Sequence, residues 1–313
     1  KTIMSDTKKI SASPKVRKFA RELGANINQI VGSERGGRVT EQDIKNYINS
    51  KIKNTSELNI PNVKSEKKNI KPEYEHSDFG KVEIKDIPRV KRIAAPHLTN
   101  SWNTIPHVTH HDEIDITELE EFRNSLFDSV TGEKIKITPL AFIAKALTNN
   151  LKNFPSFNSS IDDIDNGKIT IKKYFHIGIA VDTPHGLMVP KIRNVDQKKI
   201  KEIANELKEI SDLSRKLKIN KKEFFGGSIT ITSLGGIGGT YFTPIINFPE
   251  VAILGIGRSY KKQLYFKNSF HPRTVLPISL SYDHRIIDGA EAAKFCNALK
   301  EILGSNFAYN LAF

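Results

Sequence analysis

Apolar residues recur at helical spacing in two short stretches near the start of the chain. The first stretch opens with Ser13 and Pro14, an N-cap residue followed by proline at the first helical position, and Gly24 ends it. Its apolar positions would share one helical face: Val16, Phe19, Ala20 and Leu23. The second stretch opens with a capping-box pattern at Thr40–Asp43, and its apolar face comprises Ile44, Tyr47 and Ile48. The pattern predicts a small all-α unit.

The pattern from residue 82 onward mixes helical and strand periods. Residues 137–151 and 200–218 have the period of long amphipathic helices, and the last helix is predicted to start near Asp288. Its inward positions would be Ala292, Phe295, Cys296, Leu299 and Leu303. Residues 174–183, 226–234, 250–257 and 274–284 are strand-like, and the last of these alternates at Leu276, Ile278, Leu280 and Tyr282. Because strands and helices do not alternate strictly, the pattern favours an α+β, two-layer fold over a doubly wound sheet.

Between these regions, residues 49–81 lack periodicity and are rich in Lys, Asn, Ser, Glu and Pro. Such a composition is typical of a flexible tether. We therefore predict a linker at 1–10, a small helical domain at 11–49, a flexible linker at 50–81 and a large domain at 82–313. The chain begins at Lys1 without a signal-peptide pattern, and we expect it to be the C-terminal part of a longer protein.

The formal net charge of +13 is unevenly distributed along the 313 residues. Residues 1–81 hold +7 of it, so the small unit and its flanks could bind nucleic acid or an acidic protein surface. The single cysteine excludes an intrachain disulfide and is consistent with a reducing compartment. No apolar run is long enough to span a bilayer, so we expect no membrane insertion.

Few residues remain as candidates for chemistry. The sequence has neither a G-x-S-x-G elbow nor a phosphate loop with G-K-[ST], and Cys296 lies on an apolar helical face. "HVTHH" would place His107 and His111 on one strand face and His110 on the other, without further ligands at metal spacing, so we predict no metal site.

The remaining candidate is "SYDHRIIDG", where His284 ends a strand just before a helix. His284 could be a catalytic base or a structural histidine. Asp288 could be functional, or it could be a plain helix cap, because Asp288 and Glu291 form a capping pattern. Spacing alone leaves these readings open.

"SYDHRIIDG" resembles the H-x-x-x-D-G signature of the dihydrolipoamide acyltransferases, the core subunits of 2-oxo acid dehydrogenase complexes. "IPHVTHHDEIDITELEEFR", "GLMVPKIRN" and "ITSLGGIGGTYFTPIINFPEVAILGIGR" resemble the same family, in the family's order. Residues 13–48 resemble the peripheral subunit-binding domain that precedes the catalytic domain in these proteins. The resemblance implies a fold like that of chloramphenicol acetyltransferase for residues 82–313.

The resemblance also implies acyl transfer between dihydrolipoamide and coenzyme A, without an enzyme nucleophile. His284 would be the base, Thr232 would stand at the position of the family's oxyanion-stabilising hydroxyl, usually serine, and Asp288 would orient His284. Lys91 and Arg92 would contact the phosphates of coenzyme A. Pro96 interrupts the helical sequence pattern that usually follows these positions in the family. The lipoyl group would be carried on a domain that is not present in this chain.

The resemblance further implies partners and an assembly. Arg17, Arg21 and Arg38 match basic positions that dock dihydrolipoamide dehydrogenase, whereas Asn28 replaces a fourth; the pyruvate decarboxylase subunit is the other possible partner of residues 11–49. The catalytic domain would form trimers assembled into cores of 24 or 60 chains.

The sequence of residues 105–123 resembles the acetyl-transferring branch of the family most. In that branch the chain would form the core of a pyruvate dehydrogenase complex. The complex would lie in the bacterial cytoplasm, or in the mitochondrial matrix of a eukaryote. The alternatives are a succinyl- or branched-chain acyltransferase, a non-catalytic docking scaffold of the same architecture, and a DNA-binding protein.

Overall fold

Helix-capping residues in the sequence determine where the helices of the first unit begin. The computed structural model describes residues 11–56, 74–128, 130–266 and 268–312, and the chain divides into two units, residues 1–83 and 84–313. The predicted linker at 1–10 and residues 57–73 of the predicted tether lie outside the described residues. The domain boundaries as drawn from the sequence stay a prediction.

The first unit is built from helix α1 (Pro14–Glu22) and helix α2 (Glu41–Ser56). Ser13 caps α1 by accepting a hydrogen bond from the Val16 amide, and Thr40 and Asp43 cap α2 reciprocally, which confirms both predicted helix starts. Helix α2 continues past residue 49 into the stretch predicted as tether, because no glycine or proline stops it before Pro61. A small buried cluster joins the helices: Val16, Ala20, Ile30, Val39 and Ile44.

Among its described residues, the second unit has six α-helices: α3 (Arg89–Thr104), α4 (Thr117–Asn124), α5 (Pro139–Asn153), α6 (Ile200–Arg215), α7 (Gly289–Leu303) and α8 (Phe307–Ala312). Its strands are β1 (His107–Asp115), β2 (Ser159–Asp163), β3 (Lys168–Ile171), β4 (Ile177–Ile179), β5 (Lys191–Ile192), β6 (Ile229–Ser233), β7 (Ala252–Ile256), β8 (Tyr260–Phe266) and β9 (Ser269–Asp283). β2 and β3 form a separate hairpin, and the main sheet has the order β1-β9-β7-β6-β4-β5, with β8 also paired to β9. β4, β6 and β7 run parallel, and the other pairs are antiparallel.

One face of the main sheet packs against α5, α6 and α7 to form the core. The alternating residues of β9 predicted to face inward are buried there, as are all five predicted inward residues of α7. The opposite face carries polar side chains, including Thr230, Ser279 and Ser281. The α+β, two-layer architecture predicted from the periodicity is therefore confirmed.

Two local expectations differ from the structure. Helix α3 runs through Pro96 rather than being interrupted there. A proline removes one intrahelical hydrogen bond, and α3 tolerates the loss. The strand predicted over residues 174–183 is short, covering Ile177–Ile179, after which Val181 and Met188 form an isolated bridge.

Candidate active site

The turn between β9 and α7 presents His284. The His284 amide donates a hydrogen bond of 3.1 Å to the Pro106 carbonyl, which ties the turn to the start of β1. The His284 imidazole is exposed at the end of a strand whose last nine residues are buried. A fixed backbone with an accessible ring is a suitable arrangement for a group that exchanges protons with a ligand.

The two neighbours of His284 hold this turn in shape. Asp283, 1% exposed, accepts hydrogen bonds from Arg285 Nε (2.9 Å, to Oδ1) and from Arg285 Nη2 (2.6 Å, to Oδ2). These bonds raise the pKa of Arg285, so its guanidinium stays charged. The Asp283 carbonyl also accepts from the amides of Ile286 and Ile287. Sequence reasoning missed this clamp, although an acid and an arginine two residues apart flank the histidine in "YDHRI".

Asp288 lies at the N-cap of α7. Its carboxylate accepts a hydrogen bond of 2.7 Å from the Glu291 amide, as the capping reading predicts. Burial and the negative charge of Asp288 together raise the pKa of Tyr282, the residue at the end of β9 that faces the helices. Among the hydrogen bonds of the described residues, none joins Asp288 to His284, so the orienting role of Asp288 stays a prediction.

Thr232 lies on β6, beside a glycine of β7 that an aromatic ring covers. It is paired in register with Gly255 of β7, and a Cβ at Gly255 would lie 2.9 Å from Cζ of Phe242. The Phe242 ring therefore packs directly onto the strand beside Thr232. Thr232 is half-buried, at the point where β6 emerges from the core.

A buried polar network supports β6 two residues before Thr232. The Thr230 hydroxyl donates to Glu250 (2.6 Å), which also pairs with Lys191 (2.6 Å) and accepts from Nδ2 of the Asn247 side chain (3.0 Å). The side chains of Lys191 and Glu250 are almost completely buried. Removing either partner would leave a buried charge unpaired and would strongly lower the free energy of unfolding. Sequence reasoning missed this network, because its members are far apart in the chain.

Within one chain, the structure does not bring His284 and Thr232 together. Thr232 pairs with Gly255, and Gly255 pairs with Ser279, two strands away from β6. His284 lies five residues beyond Ser279, roughly 17 Å along the strand direction, and the two strand spacings add roughly 10 Å sideways. A single molecule could therefore not contact both side chains through one reacting group.

Lys91 and Arg92 lie on the first turn of α3, and both are exposed. The stem of Lys91 passes close to Gly186, where a Cβ would lie 3.1 Å from Lys91 Cγ. Gly186 has a φ of +127°, which disfavours a larger residue at this contact. The stem of Lys91 thus lies beside the loop that follows β4.

In the first unit, Arg17, Arg21 and Arg38 are all exposed. Arg17 Nε donates to the Ala12 carbonyl (3.3 Å), Arg21 lies in the last turn of α1, and the Arg38 carbonyl accepts from the Glu34 amide. All three residues place positive charge on the surface of the first unit.

Two of the three histidines of β1 are hydrogen-bonded within the fold. His107 Nε2 accepts from the Ile246 amide (3.0 Å), so its Nδ1 is the donor to the Ile105 carbonyl (2.8 Å). His111 Nδ1 lies 2.9 Å from the Ser279 hydroxyl. In the parts of the chain that the structure describes, no group of three or more His, Cys, Asp or Glu side chains could hold a metal ion. Likewise, no helix of the described residues is both long and apolar enough for a membrane span.

Comparison with known families matches both units. The family described as 2-oxoacid dehydrogenases acyltransferase (catalytic domain) matches residues 79–309, and the family described as e3 binding domain matches residues 10–45. The dihydrolipoyllysine-residue acetyltransferase component of the pyruvate dehydrogenase complex from Cupriavidus necator is 45% identical over 306 residues, and that from Haemophilus influenzae is 41% identical over 304. Each match covers 93% of this chain but 53% of the relative, so the chain spans about half the length of these curated relatives.

Solved structures match the second unit. The cubic core of the pyruvate dehydrogenase multienzyme complex aligns with a TM-score of 0.73 at 42% identity, covering 78% of this chain and 99% of that chain. A structure of Azotobacter vinelandii dihydrolipoamide acetyltransferase aligns with the same TM-score and coverage at 43% identity. That structure belongs to an investigation of the role of a serine, a histidine and an asparagine in the catalytic mechanism. The histidine is 52 residues after the serine and four before the asparagine.

Proposed function

The chain belongs to the 2-oxoacid dehydrogenase acyltransferase family, and on that premise we propose that it transfers an acetyl group from S-acetyldihydrolipoamide to coenzyme A. The names of the relatives support the acetyl group rather than a succinyl or branched acyl group. The same relatives support a role as the core of a pyruvate dehydrogenase complex. The lipoyl group would arrive on a carrier domain.

In this reaction His284 takes the proton from the coenzyme A thiol, and the thiolate attacks the thioester carbonyl. A thiol of pKa about 8.5 and an imidazole of pKa about 6.5 differ by about two units, or roughly 2.7 kcal/mol, so one histidine is a sufficient base. The Thr232 hydroxyl donates a hydrogen bond to the oxyanion that forms. When the intermediate collapses, the bond to the lipoyl sulfur breaks, and His284 returns the proton to that sulfur.

The observation that carries the assignment of these residues is the two sequence intervals that separate them. Thr232, His284 and Asp288 are separated by 52 and four residues, the same intervals as the serine, histidine and asparagine named for the Azotobacter vinelandii protein. Threonine keeps the hydroxyl of serine, and aspartate keeps the capping oxygen of asparagine. The clamp around His284 and the network beneath Thr232 suit groups that must be held in place.

We further propose that each site lies between two copies of the chain, with His284 of one copy facing Thr232 of the next. The separation of the two residues within one chain supports this arrangement. Large apolar side chains are also exposed on and before α3, including Ile87 (62% exposed), Ile93 (67%) and Trp102 (57%). Exposed apolar surface of this kind is typical of protein interfaces. A trimer, repeated in a core of 24 or 60 chains, would provide three equivalent sites.

Residues 11–49 are proposed to dock dihydrolipoamide dehydrogenase, the pyruvate decarboxylase subunit, or both. The match of residues 10–45 to an e3 binding domain supports docking, and Arg17, Arg21 and Arg38 supply exposed positive charge for it. Lys91 and Arg92 are the proposed contacts for coenzyme A phosphates.

The proposal is tested by a transfer assay with acetyl-, succinyl- and isobutyryl-dihydrolipoamide and coenzyme A. We expect transfer of the acetyl group in preference to the others, and a loss of at least about 100-fold in kcat for His284→Ala, because general-base catalysis supplies about 10²–10⁴ in rate. His76→Ala, in the first unit, is the matched control. A preference for succinyl or isobutyryl would reassign the substrate, and no transfer by the correctly folded chain would favour the docking scaffold.

A further inference from the structure

A series of hydrogen bonds connects helix α3 with strand β6. His97 Nε2, in the middle of α3, lies 3.2 Å from Oδ1 of Asn247. Nδ2 of Asn247 donates to Glu250 Oε1 (3.0 Å), and the Thr230 hydroxyl donates to Glu250 Oε2 (2.6 Å). Thr232 follows Thr230 by two residues, so both side chains lie on the same face of β6. The hydrogen bonds therefore lead from a surface helix to the strand that carries the proposed oxyanion donor.

The direction of these hydrogen bonds is fixed. An ionised carboxylate only accepts, so the Asn247 side chain turns its Nδ2 towards Glu250 and its Oδ1 towards His97. His97 Nε2 is then the donor, because Oδ1 of an amide has no proton to give. Reversing the Asn247 amide would place its oxygen against the Glu250 carboxylate and would lose both hydrogen bonds. The Asn247 side chain therefore satisfies both of its neighbours only when a donor stands at position 97.

The Glu250 carboxylate transmits this orientation because it is enclosed on all sides. Its Oε1 accepts from Lys191 and Asn247, and its Oε2 accepts from Thr230. A glycine leaves the room for the ion pair, since a Cβ at Gly227 would lie 2.2 Å from Glu250 Oε1 and 2.8 Å from Lys191 Cε. Glu250 is 2% exposed, and a close-packed interior has no free volume in which a displacement could be absorbed. A shift of Asn247 is therefore passed on to Thr230.

Helix α3 depends on this link because little of the helix is packed against the fold. Of its 16 residues, Ser101 alone is buried, near the carboxyl end. The apolar side chains of Ile93 and Trp102 are largely exposed. His97 lies between them along the helix and is exposed as well. The hydrogen bond to Asn247, rather than apolar burial, therefore ties the middle of α3 to the rest of the second unit.

We propose that His97 and Asn247 are positioning residues of the acyl transfer site, which fix the Thr232 hydroxyl relative to α3 by way of Glu250 and Thr230. The inference rests on the proposed function for the role of Thr232. Neither His97 nor Asn247 has to touch a substrate in this arrangement. An oxyanion donor stabilises the transition state only when it is held within about 0.5 Å of its productive position. A less firmly held β6 would therefore lower kcat and leave substrate binding unchanged.

The first test is the steady-state kinetics of variants at position 97. We expect His97→Ala to lower kcat by about three- to tenfold, the effect of one lost hydrogen bond, with KM unchanged for coenzyme A and for S-acetyldihydrolipoamide. His97→Gln keeps an N–H donor and should recover most of the wild-type kcat. The control Thr99→Ala changes another exposed residue of α3, whose side chain makes no hydrogen bond within the described residues, and it should keep the wild-type kcat. A raised KM for coenzyme A with an unchanged kcat in His97→Ala would assign His97 to substrate binding and overturn the inference.

A double-mutant cycle determines whether His97 acts through Thr232. In a chain that already has Thr232→Val, His97→Ala should lower kcat by less than about twofold, because the donor to be positioned is gone. A further loss of about three- to tenfold would show that His97 acts on another group and would refute the inference. Circular dichroism and native mass spectrometry verify that each variant is folded and assembled like the wild type.

The last test is independent of transfer. Hydrogen exchange of the full chain is measured by mass spectrometry, and we expect faster exchange over residues 244–250 in His97→Ala, with wild-type rates in His97→Gln and Thr99→Ala. This pattern in a chain that transfers no acyl group would support the link between α3 and Glu250 and refute the proposed reaction. Transfer that requires His284, with kcat and exchange both unaffected by His97→Ala, would do the reverse.

Discussion

The Thr232 hydroxyl is the smallest group on which the proposed reaction depends. It stands on a strand held by the buried Thr230–Glu250–Lys191 network, so a change in its side chain should act locally. Threonine differs from serine by a methyl group that restricts the rotamer of the hydroxyl without removing it. Thr232 can therefore be tested with substitutions that keep its volume or its hydroxyl.

We expect Thr232→Val to lower kcat by about 10²–10³ with little change in KM for coenzyme A, because the loss of an oxyanion donor affects the transition state. Thr232→Ser should stay active, since the donor is kept. Steady-state kinetics of the two variants, with circular dichroism to verify folding, measure this. Full activity of the valine variant would show that the oxyanion donor lies elsewhere.

The N-terminus of α2 is an element whose stability should depend on pH. The Asp43 carboxylate accepts from the amides of Thr40 (2.9 Å) and Ser33 (3.1 Å), and the hydrogen bonds, that from Thr40 first, lower its pKa from 3.8 to about 2. A lowered pKa in the folded state means that the ionised carboxylate stabilises the unit. Its contribution is complete above about pH 4 and is lost as the pH falls towards 2.

We therefore expect residues 11–49 to become less protected between about pH 4 and pH 2 in hydrogen exchange measured by mass spectrometry on the full chain. Asp43→Asn should be less protected at neutral pH and should lack this pH-dependent component, because its side chain does not titrate. Glu22→Gln removes one negative charge from the same unit without touching the cap and serves as the control. An unchanged pH profile in Asp43→Asn would mean that the cap does not govern the acid sensitivity of the unit.

At the scale of the whole molecule, the separation of His284 and Thr232 makes cooperation between copies testable. A chain with His284→Ala and a chain with Thr232→Val, both nearly inactive alone, are mixed after denaturation and reassembled. In a ring of three, every mixed trimer has one site with both residues intact, and about three quarters of the trimers are mixed after random equal association. About a quarter of wild-type activity should return.

Native mass spectrometry of the mixture verifies that mixed trimers have formed. If both residues served one site within the same chain, no mixture could recover activity. Recovered activity close to zero, with mixed trimers present, would thus place the site within one chain and contradict the proposed interface.

The local sequence determined the starts of several helices and the side chains that face the core. Caps and periodicity predicted the starts of α1, α2 and α7 and the inward residues of α7 and β9, because helix ends and amphipathic faces depend on residues within a few positions of one another. The signature around His284, together with the other stretches that resemble the family in the same order, pointed to the family. The same local evidence misjudged Pro96, whose effect on α3 depends on whether the surrounding helix tolerates one missing hydrogen bond.

Only the tertiary structure determined which residues that are distant in the chain lie next to one another. Strand order and register determine the pairing of Lys191 with Glu250 and the distance between Thr232 and His284. Strand order joins residues that are far apart in the chain, and no period or cap within a short window records it. The chemistry of the individual side chains could therefore be predicted from the sequence, whereas their grouping into a site required the fold.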